Sequence, residues 1–169
     1  MIAVLLPYLR ALSPFWTSLS LAMTLFIWVV MKKQGRAHTA AVCFTVLWLC
    51  LVYSSTVLSR VPSASPHWAL KPFWSYGQWI QGNQVFLTYI LLNILMLLPV
   101  GLSLSCLWTD RKRVLLFGLF FSCLIEVSQL ITGRGLFEID DIFHNTLGVA
   151  LGIRMHAGIR RLLNRFHLR

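Results

Sequence analysis

The chain has 169 residues, 57% of them hydrophobic and only 12% charged, with a mean hydropathy of +0.72. Soluble domains usually carry about 25% charged residues, and a globule of this size would leave broad apolar patches facing water, so a separate soluble domain is excluded. The formal charge of +10, fifteen Lys and Arg against five acids, points first to nucleic acid, but most of the cations stand in short clusters at the ends of apolar runs, where they act as topology signals and contacts for anionic lipid head groups.

A bilayer core of about 30 Å needs about 20 mostly apolar residues in a helix. Ahead of the first such stretch, Pro7 and Arg10 argue against a span, so Met1–Pro14 is expected to form an interfacial helix. MIAVLLPYLRALSP has no basic region before its apolar stretch and no small-residue cleavage site, so a removed signal peptide is not expected. Five spans then follow: about Phe15 to Met31, Ala37 to Leu58, Val85 to Trp108, Val114 to Thr132, and a shorter, glycine-studded one from about Ile142 to Ile159. The expected fold is all-α, a multispanning transmembrane helical bundle in one domain over residues 1–169.

Alternating the sides puts Lys32, Lys33 and Arg36, then Arg111, Lys112 and Arg113, then Arg154, Arg160, Arg161, Arg165 and Arg169 on one face. Only Arg10, Arg60, Lys71 and Arg134 fall on the other. By the positive-inside rule the rich face is cytoplasmic, with the N-terminus outside and the C-terminus inside. The acids show the opposite bias, since only Asp110 shares the basic face. The long outer connection, Ser59 to about Gln84, carries three prolines with Trp68, Phe73, Trp74, Tyr76 and Trp79, which suits a segment lying in the head-group layer as a cover over the bundle. Cys43, Cys50, Cys106 and Cys123 lie in apolar segments without metal spacing and read as free thiols.

Three spans carry polar groups toward one point near the outer surface. In the third, Asn93 precedes Pro99 and Gly101 in NILMLLPVG. In the fourth, Ser122, Glu126 and Gln129 share a helical face; a buried carboxylate there needs a partner, and Arg134 is a candidate. In TGRGLFEIDDIFHNTLGVALG, Asp141, Asn145, Gly148 and Gly152 make one stripe on the fifth helix, whose GxxxG permits close approach of another helix or a homo-oligomer. Asp140 or Asp141 could also cap that helix. Interhelical glue explains the same residues; a one-sided charged cluster favours an external binding or catalytic site.

At NILMLLPVG, at the IEVSQ around Glu126 and at GRGLFEIDDIFHNTLGVALG, the chain resembles the VanZ-like family of bacterial membrane proteins over about residues 58–152, residues 1–36 forming an additional N-terminal helix. The family pattern maps onto Asn93, Pro99, Gly101, Glu126, Gln129, Arg134, Asp141, Asn145 and Gly148, with Glu138 where many relatives would have Asp. The resemblance implies a small multispanning protein of the bacterial inner membrane, and the family's named member is associated with low-level teicoplanin resistance.

The leading expectation is therefore an outer polar pocket of Asn93, Glu126, Gln129, Arg134, Glu138, Asp141 and Asn145 that engages a cell-envelope or lipid-linked ligand. Pro99, Gly101, Gly148 and Gly152 would serve helix packing. The alternative is a membrane hydrolase or transferase acting on a lipid-linked head group, with Glu126 as general base and Arg134 holding an anion. No lipid-phosphatase, GxSxG or HExxH signature accompanies it. A divalent cation on Glu138, Asp140, Asp141 and His144 is a weaker reading, so no metal and no cofactor is assigned. Five short spans without an inverted repeat also argue against an autonomous transporter. Membrane lipids are the expected partners, and nucleic acid is not.

Overall fold

A computed structural model describes residues 14–31, 35–63 and 67–167. Six helices account for most of it: α1 (Pro14–Met31), α2 (Arg36–Tyr53), α3 (Trp74–Ile80), α4 (Val85–Leu107), α5 (Arg111–Thr132) and α6 (Ile139–His167). The five expected spans fall on α1, α2, α4, α5 and α6. Arg36–Leu58, Val85–Leu107 and Arg111–Thr132 are long and apolar enough to cross a bilayer, and Trp16–Val29 adds a shorter apolar stretch. At about 1.5 Å per residue, the 23 and 22 residues of α4 and α5 reach about 33–35 Å. The protein is an all-α helical membrane protein. The expected interfacial helix at Met1–Pro14 lies outside the described residues, apart from Pro14, as do Lys32, Lys33 and Arg169.

Local chemistry sets the helix ends. α5 begins three residues before the expected Val114 because the Asp110 carboxylate caps it, accepting from the Lys112 N–H at 2.9 Å. It stops at Gly133, whose left-handed φ of 65° lets the chain turn. α2 ends in a π-helical turn, Ser54–Leu58. α6 runs well past the expected Ile159, because Gly158 alone does not break a helix and no proline follows.

Outward-facing apolar residues on α5, among them Leu116, Phe120, Val127 and Ile131, suit lipid rather than water. The inner faces form a core of Val52, Val57, Leu97, Val100, Leu104, Val114, Ile125, Val149 and Ile153. The closest packing joins α4 to α6, which run parallel. A Cβ on Gly148 would strike the Ile94 carbonyl, one on Gly152 the Leu98 carbonyl, and one on Gly101 the Val149 backbone. The GxxxG face is thus filled by α4 of the same chain, the close approach of another helix that its small residues predict.

Residues 67–80, between α2 and α4, carry more regular structure than a belt loop. Strand β1 (His67–Ala69) pairs in parallel with β2 (Leu136–Glu138), Trp68 opposite Phe137 and Ala69 opposite Glu138. α3 follows β1. This two-stranded ribbon and the short helix sit at the end of the bundle where α4 and α6 begin and α5 finishes.

Candidate functional site

Five elements meet at that end. Glu126, 1% exposed, comes from the last turns of α5, and its Oε2 accepts the Glu138 backbone N–H of β2 at 2.9 Å. The Glu138 carboxylate accepts the Trp74 indole N–H of α3 at 3.0 Å. Asp141, in the first turn of α6, accepts from the Asn93 amide of α4 at 2.5 Å. One turn deeper, the Asn145 amide donates to the Ser122 hydroxyl of α5 at 3.0 Å. Asn93, Glu126, Glu138, Asp141 and Asn145 thus form one connected region.

Like charges are concentrated here. Glu126 is repelled by Asp141 and Glu138 and attracted by Arg60, and Asp141 is repelled by Glu138 and attracted by the same Arg60. Burial, with repulsion from Asp140 behind it, pushes the Glu138 carboxyl above the usual carboxylate range, opposed by the Trp74 hydrogen bond and by Arg60. The carboxylates are held mainly by neutral N–H donors, and among the described residues none of them forms an ion pair within 4 Å. The arrangement can hold protons or a cationic group, or present a carboxylate as an acid or base.

Two expected members bond to backbone carbonyls rather than to the carboxylates. The Arg134 guanidinium donates to the Leu58 carbonyl at 2.7 Å rather than pairing with Glu126; the turn at Gly133 directs it to the end of α2. Gln129 donates to the Thr56 carbonyl at 3.2 Å. Both satisfy carbonyls of the π-turn. The cation that does act on the acids is Arg60, whose Nη1 lies 2.9 Å from where a Gly135 Cβ would stand. Its position directly after α2, as one of few basic residues on the acid-bearing side, was the available signal.

Asp140 also departs from expectation. It accepts from the backbone N–H groups of Phe73 and Ser75 and from the Ser75 hydroxyl, so it caps α3 rather than its own helix. One turn further along α6, His144 meets the hydroxyl of Tyr76, on α3, through Nε2 at 2.9 Å. Asp140, Asp141 and His144 therefore address different partners, and no group of three metal-ligating side chains gathers among the described residues. Gly101, Gly148 and Gly152 are packing residues, while Pro99, inside α4, denies the Leu95 carbonyl its helical donor.

A multispanning helical bundle with a polar cluster at one end defines the general class. The VanZ/LLP1 family matches residues 39–160, more than half of the chain, and the protein belongs to that family. No curated protein and no solved structure matches it.

Proposed function

We propose that this protein resides in the bacterial inner membrane with its acid-bearing end outside and its arginine-rich end in the cytoplasm. There it engages a cell-envelope or lipid-linked ligand through the cluster around Glu126, and so modifies susceptibility to glycopeptide antibiotics such as teicoplanin. The distribution of Lys and Arg supports the orientation. The observation that carries the ligand reading is the convergence of Glu126, Glu138 and Asp141 with Arg60 from separate elements, because packing alone requires no carboxylates at such a depth. The exposed Trp68 and Phe73 of the cover supply apolar surface at the same end. Teicoplanin susceptibility of cells carrying Glu126→Gln or Asp141→Asn, at matched protein level, tests this: a shift is expected, and unchanged susceptibility in both would sink it. Native mass spectrometry of protein extracted with its lipids should show an envelope lipid that Glu126→Gln loses.

A second reading, a hydrolase or transferase of lipid-linked head groups, draws on one feature of Glu126. Its hydrogen bond from Glu138 engages Oε2, and Oε1 is the atom an acid or base would use. Turnover of a lipid-linked phosphate by purified protein, abolished by Glu126→Gln, separates this reading from binding alone.

A further inference from the structure

At the opposite end of the bundle, a cleft of about 230 Å³ opens between the α4–α5 connection and the second half of α6. Trp108, Thr109 and Arg111 line one side, and Ile153, His156, Arg160 and Arg161 the other. Three arginines line this small space, with no acid among its lining residues. The nearby acid, Asp110, is already committed, to the Arg113 guanidinium at 3.4 Å and to the Lys112 N–H. Like charges set around one cavity repel, and a phosphate oxyanion relieves that repulsion by accepting from the paired N–H donors of the planar guanidinium fork.

The depth of the cleft bears on where the anion comes from. It lies just past Leu107 and just before Arg111, the ends of two helices whose lengths match the hydrocarbon thickness, and so falls at head-group level. On α6, Met155, Ile159, Leu162 and Phe166 are all exposed, and their spacing of four, three and four residues makes one apolar stripe. The cleft-lining residues of α6 occupy the other side of the helix. A segment with such a stripe lies against lipid and holds the arginines in the phosphate layer.

We propose that this cleft is a site for an anionic phosphate group, presented by a membrane phospholipid and gripped by Arg111, Arg160 and Arg161. It is separate from the carboxylate cluster and does not depend on the function assigned there. The test follows thermal unfolding of the full chain in a neutral detergent, titrated with phosphatidylglycerol, phosphatidylcholine or inorganic phosphate. Phosphatidylglycerol should raise the midpoint saturably, and the other two should neither raise it nor compete. Arg160→Gln with Arg161→Gln should weaken the half-saturation by about tenfold or more, as expected for lost charge-assisted bonds. Arg154→Gln with Arg165→Gln, on the same helix outside the lining, should weaken it far less; all four side chains are exposed, so both pairs of substitutions leave the packing intact. Equal loss in the two variants would reduce the effect to general surface charge and overturn the site. Saturation by inorganic phosphate would make it a soluble-anion site and overturn the lipid assignment, and equal response to phosphatidylcholine would overturn both.

Discussion

The backbone N–H of Glu138 points into the Glu126 carboxylate, 2.9 Å from Oε2, so the ribbon that closes one end of the bundle is tied to the single acid of α5. The bond holds β2 beside α5 and gives a buried carboxyl in the interior a backbone donor. It needs an acceptor at position 126, but not a charge.

Glu126→Gln and Glu126→Ala should therefore differ. The amide oxygen of Gln keeps the acceptor and removes a carboxyl whose ionisation its acid neighbours oppose, so unfolding in detergent should occur at or above the wild-type midpoint. Alanine leaves the Glu138 N–H buried without a partner, at a cost of about 1–3 kcal/mol. Equal midpoints for the two variants would show that this bond does not fasten the ribbon.

Asp140 fastens the cover more firmly, since two backbone N–H groups and one hydroxyl of residues 73–75 converge on its carboxylate. Asp140→Ala should release α3 while sparing the transmembrane helices. Amide hydrogen exchange over residues 73–80 should speed up by about tenfold or more, the equivalent of about 1.4 kcal/mol, with α4 and α5 unchanged. Exchange rising equally throughout would mean that the cover is not a separate cooperative unit.

Glycine packing gives a sharper contrast. Gly148→Ala drives a Cβ into the Ile94 backbone carbonyl, which cannot swing aside as a side chain would, whereas nothing lies within 4 Å of a Cβ on Gly158 of the same helix. The first change should cost about 1–3 kcal/mol or more by overpacking. The second should be neutral or stabilising by up to about 1 kcal/mol through helix propensity. Unfolding midpoints of the two variants, measured side by side, decide it.

Much of this was legible in the sequence, for reasons that differ by residue. Apolar length located α2, α4 and α5, and the period of a helix put Asp141, Gly148 and Gly152 on the face that meets α4. The ribbon was not legible: strands of three residues carry no usable alternation, and their pairing joins segments almost seventy residues apart. Missing it concealed α3, and without α3 the carboxylate of Asp140 had only its own helix to cap. Arg134 was matched to Glu126 by charge, because sequence does not reveal that the carbonyls of a π-turn, at Thr56 and Leu58, compete for nearby donors. Sequence position alone does not single out Arg60, because its approach to this end depends on the space left at Gly135, where a Cβ would stand 2.9 Å from its Nη1.

The Glu138 carboxyl makes the closure of this end sensitive to pH. Its folded pKa is raised, first by burial and then by Asp140, so the folded protein holds this proton more tightly than the unfolded chain does. The resulting stabilisation is fully present below the unfolded value, about 4.3 for a glutamate, and is lost as pH rises through the folded value. Unfolding midpoints of the wild type should therefore fall, relative to Glu138→Gln, as pH increases from about 4 upward. The variant keeps an oxygen acceptor for the Trp74 indole but cannot ionise, so its profile lacks this component. If wild type and variant ran parallel across that range, the carboxyl of Glu138 would not be the group whose ionisation loosens the ribbon.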